Sequence, residues 1–171
     1  FAHGNAGHVA SRAAWMRYLQ NEARVSVFMF DYRGYGRSEG VPTVQGVLHD
    51  SLAARAKLAE VAGIEETEMF LMGESLGGAI VVQLAAISPP RGLILQSTFS
   101  SLRDVAHVHY PNLAGIVPPN KLNSHSKISK YEGFLLQSHG TADRTIPIHL
   151  GEKLFKEARE PKEFIKIQGA D

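Results

Sequence analysis

The first candidate for chemistry in this sequence is a serine that lies between two glycines. The pentapeptide Gly-Glu-Ser-Leu-Gly at residues 73–77 directly follows a short apolar run at residues 69–72. A serine hydroxyl on a tight turn at the end of a strand can act as a nucleophile, if a base accepts its proton and hydrogen-bond donors stabilise the oxyanion. A glycine-rich segment can also serve only to turn the chain into a helix, so the pentapeptide alone leaves both interpretations open.

The flanking residues predict a strand, a turn and a helix around Ser75. The run at residues 69–72, Met-Phe-Leu-Met, has no helical period, which indicates a buried strand. Apolar residues then recur through residues 76–87 and predict a largely buried helix that ends before Pro89 and Pro90. The N-terminus of that helix would present free N–H groups and a positive dipole end to an oxyanion at Ser75.

Extended and helical patterns alternate along the rest of the chain. Apolar runs predict further strands at residues 25–30, 92–97, 133–138 and 163–167. The strand at residues 25–30 is expected to be buried. Helical signals lie between them: an apolar period over residues 9–19, an N-cap at Thr43 with a stop at Gly63, a start at Ser101 and Asp104, and Pro147 as a first helical residue.

Strands separated by helices predict an α/β fold with a mainly parallel, doubly wound sheet and helices on both of its faces. Residues 111–130 are rich in Pro, Asn, Ser and Lys and have little periodicity, so we expect a surface excursion that is too short for a domain. The length of 171 residues is that of one domain.

The composition excludes several classes of function. The 44% apolar and 20% charged fractions are typical of a globular protein, and a net charge of +1 gives no electrostatic reason to expect a nucleic-acid or anionic-membrane partner. The chain has no cysteine, which excludes disulfides, a thiol nucleophile and thiolate metal sites. No apolar run reaches about 18 residues, so we expect no membrane span within this chain.

Polar residues follow several of the predicted strands. The carboxyl ends of parallel strands meet at one edge of a sheet, where sites lie in such folds. We therefore expect the loop His-Gly-Asn-Ala-Gly at residues 3–7, Asp31, Ser75 and residues 96–97 at that edge. Asp143 follows the next strand but one after Ser75 and is the candidate acid that would orient a base. A loop aspartate also commonly bonds its own backbone in a turn, which is the alternative for Asp143.

The order of these motifs resembles the α/β-hydrolase superfamily, and within it the lidless serine hydrolases of the serine-aminopeptidase and depalmitoylase-like branch. The likeness covers essentially the whole chain: the loop at residues 3–7, the Asp-Tyr-Arg-Gly-Tyr-Gly-Arg-Ser-Glu-Gly loop at residues 31–40, the Ser75 pentapeptide and His-Gly-Thr-Ala-Asp at residues 139–143. The resemblance implies an α/β-hydrolase fold, a triad in the chain order Ser, Asp, His, and no cofactor.

The resemblance also implies roles for particular residues. Ser75 would be the nucleophile and Asp143 the acid, with the N–H groups of Leu76 and Asn5 as the oxyanion hole. The sequence supports these donors independently, because Leu76 follows the serine and Asn5 lies in the glycine-rich loop. Asn5 would contribute its backbone, so its side chain is expected to matter less, and Glu74 is expected at the surface or in a supporting role. The charged side chains that could touch substrate are Asp31, Arg33 and Arg37. For Asp31, a role in bracing the loop is at least as well supported.

Two positions depart from the family pattern. Gln96 is neutral where similar proteins often carry an acidic residue, which leaves Asp143 as the only well-placed acid. The family's catalytic histidine lies in the loop after the final strand, and this sequence stops in that loop, so the histidine is expected just beyond Asp171.

None of the eight histidines present is a convincing base. His107 and His109 would point apart on a helix, so we expect no metal site.

The sequence therefore predicts a serine hydrolase that cleaves ester, thioester or amide bonds through an acyl-enzyme, on a small-molecule, acylated or peptide substrate and without a cofactor. Residues 1–171 are expected to form a single partial hydrolase domain that lacks the first strands and the catalytic histidine and is inactive or weakly active. The alternative is a non-catalytic binding protein that keeps the hydrolase fold without a complete triad. A histidine shortly beyond Asp171 would favour the enzyme. Compartment and oligomeric state are not assigned by the sequence.

Overall fold

The computed structural model describes residues 1–171 and contains a four-stranded parallel sheet whose strands lie side by side in chain order. The strands are β1, Phe70–Glu74; β2, Gly92–Gln96; β3, Phe134–Gly140; and β4, Lys162–Ile167. Parallel neighbours need long crossover connections, and helices supply them here. The predicted α/β class with a parallel sheet is confirmed.

Six α-helices accompany the sheet: α1, Ala13–Glu22; α2, Val44–Ala62; α3, Leu76–Ile87; α4, Leu102–His109; α5, His125–Ile128; and α6, Ile148–Glu157. Short 3₁₀ turns lie at Val9–Arg12, Glu66–Glu68 and Ala114–Ile116. None of the helices combines the length and the apolar character that crossing a bilayer requires.

The helix ends follow local sequence signals. The Thr43 side chain accepts a hydrogen bond from the N–H of Gly46 at 3.0 Å, and α2 stops at Gly63, whose φ of 65° is left-handed. The Ser101 hydroxyl likewise caps α4. Pro147 is the residue before α6 and not its first residue, because its ψ of 136° is extended. The predicted caps are confirmed, and the start of α6 is wrong by one residue.

One face of the sheet carries the core. Leu93, Leu95 and Leu135 share this face and are fully buried, and each contributes about 2 kcal/mol by leaving water. α3 lies against β1 and β2 and contacts α2 and α5, whereas α6 lies against β3 and contacts α5. The position of α3 is therefore fixed on several sides, which also fixes the N-terminus of this helix behind Ser75.

The opposite face of the sheet is covered at one end only. Phe1 points to this face and contacts Trp15 of α1, with ring centroids 4.8 Å apart and the rings tilted by 45°. Apolar side chains in the remaining rows of this face are 40% to 56% exposed: Phe70, Phe134, Ile165 and Ile167.

The predicted buried strand at residues 25–30 is wrong. This segment has no strand ladder, and its one backbone hydrogen bond runs from the Phe1 nitrogen to the Phe28 carbonyl at 2.7 Å. Residues 27–30 are half-buried, and Val25 is exposed. A strand is defined by its hydrogen-bonded neighbours, which an apolar run does not specify.

The excursion at residues 111–130 is less superficial than predicted. Ala114, Leu122, Ser124 and Ile128 are buried, and two of them belong to the main core cluster. The short helix α5 inside this segment lies between α3 and α6. Widely spaced apolar residues in a polar segment carry no period, so the sequence did not indicate their burial.

Candidate functional site

Ser75 lies at the centre of a turn between β1 and α3, which we call the serine turn, residues 73–78. Its φ of 51° and ψ of −115° lie in a region that a serine rarely adopts. The Ser75 N–H donates to the Gln96 carbonyl at 2.9 Å, and the Ser75 carbonyl accepts from the Thr98 hydroxyl at 2.8 Å. The end of β2 thus holds the serine in its strained conformation from both sides of the residue.

The glycines of the serine turn sit where no side chain fits. A Cβ on Gly73 would lie 2.4 Å from the Gly77 carbonyl oxygen, and one on Gly78 would lie 2.5 Å from the Thr98 hydroxyl. A Cβ on Gly77 would lie 1.9 Å from the carbonyl oxygen of Ala2. The strand and the helix can fold back on each other only because these residues lack a Cβ.

Replacing Gly77 with alanine is expected to destabilise the full-length protein by about 3 kcal/mol, because the obstructing atom belongs to the backbone and cannot rotate away. Gly115→Ala is the matched control, since nothing lies within 4 Å of a Cβ at that position. The measurement is denaturant unfolding followed by circular dichroism. Equal midpoints for the two variants would show that the turn relaxes around the added methyl group.

The residues at 3–7, here called the glycine loop, lie beside Ser75. Ala2 pairs with Gly73 of β1, which brings the following residues to the carboxyl edge of the sheet. A Cβ on Gly4 would lie 3.5 Å from the Ser75 Cβ. The glycine loop therefore packs directly against Ser75 at Gly4.

Two backbone donors on segments near the serine are unpaired. Neither the N–H of Leu76 nor the N–H of Asn5 has a hydrogen-bond acceptor within the chain. For Leu76 this is the ordinary state of a first helical residue, whose N–H points out of the helix. Asn5 is exposed on the glycine loop. The structure thus places one free N–H on each of the two segments that meet at Ser75.

An ion pair supports the glycine loop from outside. Arg12 donates to both carboxylate oxygens of Glu74, at 3.0 and 3.1 Å, and to the carbonyl of Ala6 at 3.2 Å. Such bidentate pairs fix geometry as well as adding energy. Glu74 is therefore a supporting residue, as expected, and its carboxylate is occupied by Arg12.

Residues 31–40, here called the tyrosine loop, brace the glycine loop. Fully buried His3 lies between them, with Nδ1 2.7 Å from the Gly4 carbonyl and Nε2 3.5 Å from Asp31 Oδ1. Burial lowers the pKa of His3 and so favours the neutral ring, although the hydrogen bond to the Gly4 carbonyl acts in the opposite direction. Asp31 also accepts the N–H of Val9 at 2.8 Å. Asp31 has the bracing position rather than a free one.

The two arginines of the tyrosine loop differ in availability. Arg33 binds both carboxylate oxygens of Asp50 on α2, with a shortest distance of 2.7 Å, and its backbone N–H binds the same group. Hydrogen bonds from Arg33 lower the pKa of the Asp50 carboxyl. Arg37 is exposed and forms no ion pair within the chain. Of the two, only Arg37 is free to reach a substrate.

Asp143 lies in the segment after β3 that we call the acid loop, residues 140–146. Its Oδ1 accepts the N–H groups of Thr145 and Ile146 at 2.9 and 2.7 Å. Its Oδ2 lies 3.4 Å from Nε2 of buried His139, whose ring is bound to the Ile146 carbonyl at 2.7 Å. Oδ1 of Asp143 therefore makes the backbone turn contacts that were the alternative to a catalytic role. The His139 ring is hydrogen-bonded within the acid loop.

The last residues of the chain lie against the acid loop. The Ala142 N–H donates to the Ala170 carbonyl at 2.9 Å, and the Arg144 N–H donates to the Asp171 carboxylate at 3.2 Å. The loop after β4 therefore runs beside Asp143.

Ser75 and Asp143 share an edge of the sheet without touching. They follow β1 and β3, which are separated by β2. Two strand spacings amount to about 10 Å. Gln96 ends the strand between them and offers no carboxylate.

Three supporting residues were not indicated by the sequence. Thr98, Arg12 and Tyr35 each bind a residue of the site that lies far away along the chain. The only signal available was the tyrosine loop motif, which had a family likeness but no role assigned to its tyrosines.

The serine-aminopeptidase family model, described as "Serine aminopeptidase, S33", matches residues 1–131. Among curated relatives, the uncharacterised protein Rv2307c of Mycobacterium tuberculosis is 37% identical over 171 residues, which cover 97% of this chain and 59% of that protein. The chain therefore spans less than two thirds of the length of this relative.

Solved structures share the fold. The monoacylglycerol lipase of Paleococcus ferrophilus superposes with a TM-score of 0.74 at 20% identity, covering 99% of this chain and 83% of that one. Est1E of Butyrivibrio proteoclasticus, solved with ferulic acid bound, gives a TM-score of 0.76 at 21% identity, covering 98% and 78%. At such identities the likeness concerns the fold.

Proposed function

Since this chain belongs to the serine aminopeptidase (S33) family of α/β hydrolases, we propose that the full-length protein is a serine hydrolase that cleaves ester, thioester or amide bonds through an acyl-enzyme. The observation that carries the proposal is the strained conformation of Ser75, together with unpaired N–H groups at Leu76 and on the neighbouring glycine loop at Asn5. Strain of this kind is retained at functional positions, where surrounding contacts maintain it.

In the first step, Ser75 Oγ attacks the acyl carbon of the substrate and its proton passes to a base. The carbonyl oxygen becomes an oxyanion, which the N–H groups of Leu76 and Asn5 would bind. Losing one such donor typically costs about 100- to 1,000-fold in rate. The protonated base then gives its proton to the leaving group, and water releases the acyl group by the same route.

A histidine beyond Asp171 is the proposed base. The gap of about 10 Å between the strands of Ser75 and Asp143 fits an imidazole ring with a hydrogen bond on each side. The loop after β4 runs beside Asp143. Asp143 would accept the Nδ1–H of the imidazole and hold it in the required tautomer.

The class of substrate is proposed from the structural neighbours. One is named as a monoacylglycerol lipase and another was solved with ferulic acid, which favours a carboxylic ester among the acyl substrates. The connection at residues 111–130 is short, so we propose an open entrance without a large lid.

The experiment compares hydrolysis of p-nitrophenyl acetate by residues 1–171 and by the full-length protein, after circular dichroism has established that both are folded. Without the proposed base, the shorter chain is expected to retain about 10³- to 10⁴-fold catalysis over water, from the oxyanion hole and binding. The full-length protein should be far faster. Equal turnover would place the base within residues 1–171, with His139 as the first residue to replace.

A further inference from the structure

The tyrosine loop is the one sequence motif that the proposed mechanism leaves unexplained. We propose that this loop holds the glycine loop in its oxyanion-binding shape, and that the Tyr35 hydroxyl positions Asn5 for this purpose. The inference rests on the proposed function, because the orientation of the Asn5 N–H matters to turnover only if that N–H binds an oxyanion. Tyr35 would be a positioning residue that does not touch the substrate.

Tyr32 fixes the start of the glycine loop. Its side chain is fully buried, and its hydroxyl donates to the His3 carbonyl at 2.9 Å. Burial raises the pKa of Tyr32, so this hydroxyl stays protonated and remains a donor. The peptide that leads into Gly4 is thereby held from the tyrosine loop.

The His3 ring is held by two aromatic rings. Its centroid lies 4.4 Å from that of Tyr32 and 5.4 Å from that of Tyr35, and the two tyrosines contact each other edge to face at 5.7 Å. Aromatic rings at such separations attract one another beyond the effect of burial alone. The ring of Tyr35 is therefore fixed in place before its hydroxyl makes any hydrogen bond.

The Tyr35 hydroxyl donates to Asn5 Oδ1 at 2.6 Å. Asn5 is exposed, and this is the hydrogen bond that its side chain makes within the chain. A short bond to the side chain restricts the backbone that carries it, and so restricts the direction of the Asn5 N–H. The side chain of Asn5 thus gains a role that the sequence had not predicted.

The tyrosine loop is itself rigid enough to act as a support. Gly36 has a φ of 54°, and a Cβ there would lie 2.1 Å from Asp31 Oδ2. The Ser38 hydroxyl donates to the Asp31 carbonyl at 2.9 Å, and Arg33 ties the loop to α2 through Asp50. Tyr35 therefore projects from a segment that is bonded at both ends.

Tyr35→Phe removes the hydroxyl and keeps the ring contacts. In the full-length protein we expect kcat for p-nitrophenyl acetate to fall about 10-fold with KM unchanged, since a misdirected donor loses part of the 100- to 1,000-fold effect of a missing one. Rates are expressed per active site, titrated with a fluorophosphonate, so that a loss of folded protein is not counted. Tyr18→Phe is the matched control, because Tyr18 is 62% exposed on α1.

A double-mutant cycle separates positioning from general stability. Asn5→Ala keeps the backbone N–H but loses the acceptor, so it should lower kcat by a similar factor. The double variant should then be about as slow as either single variant. Asn5→Ala also tests the proposal independently if Tyr35→Phe fails to fold.

Several outcomes would overturn the inference. A kcat for Tyr35→Phe equal to that of Tyr18→Phe would do so, and so would full activity of Asn5→Ala or multiplicative effects in the double variant. These results leave the proposed function intact if Ser75→Ala is inactive. Turnover that survives in Ser75→Ala would instead remove the proposed function and the inference together.

Discussion

Ser75→Ala in the full-length protein is expected to abolish covalent labelling by a fluorophosphonate and to lower kcat for p-nitrophenyl acetate by about 10⁶-fold, the size of effect known for a serine nucleophile. The variant removes only Oγ. The two bonds that hold the turn involve the backbone N–H and carbonyl of Ser75 and remain available. The loss should therefore be one of chemistry and not of folding.

The chain offers a close control for this variant. Ser97 also follows a strand of the sheet and also has a positive φ, 42°, but it is not flanked by glycines and no helix begins behind it. Ser97→Ala should keep both labelling and turnover. Labelling that persists at full strength in Ser75→Ala would assign the nucleophile to another residue.

Asp143→Asn is expected to lower kcat by about 10⁴-fold while the fold is retained, because an amide in place of a triad carboxylate favours the wrong histidine tautomer. An asparagine still offers Oδ1 to the N–H groups of Thr145 and Ile146, so the acid loop can keep its shape. The chemical difference is confined to the second oxygen, which lies 3.4 Å from His139 Nε2 and makes no turn contact.

The measurement is steady-state turnover of p-nitrophenyl acetate, with circular dichroism as the test of folding. Asp104→Asn serves as control: Asp104 is paired with Lys153 and with the Ser100 hydroxyl, so its loss should affect stability more than turnover. If Asp143→Asn keeps most of its activity, another group orients the base, and the turn contacts of Asp143 are its whole role.

The elements that the sequence predicted well are those with local signals. The strands near residues 92–97, 133–138 and 163–167 are present within a residue or two, because their apolar runs are bounded by turn residues. The cap at Thr43 and the stop at Gly63 were predictable because each involves only neighbouring residues. Such features need no knowledge of tertiary structure.

The segment at residues 25–30 shows the limit of this reasoning. Its apolar residues are typical of a strand, but strand pairing depends on a distant segment, and here the contact is a single bond from Phe1 to Phe28. The local apolar pattern therefore indicates that a segment can form a strand, but whether the strand forms depends on a hydrogen-bonded neighbour.

The candidate site divides in the same way. Ser75 and Asp143 were identified because the motif and the strand order indicate the edge where they lie, and their catalytic roles stay predictions. Arg12 and Tyr35 could not be identified, because their partners lie 62 and 30 residues away along the chain. Side-chain contacts over such separations become visible only in three dimensions.

The contact between Gly77 and the Ala2 carbonyl has a consequence for how such sequences diverge. A side chain at Gly77 would push Ala2 away, and Ala2 carries the glycine loop to its place beside Ser75. The two segments are far apart in the sequence, yet a change in the backbone position of one requires a matching change in the other. Substitutions that move the start of the chain should be inherited only with compensating changes in the serine turn, whereas Gly115 is free to vary.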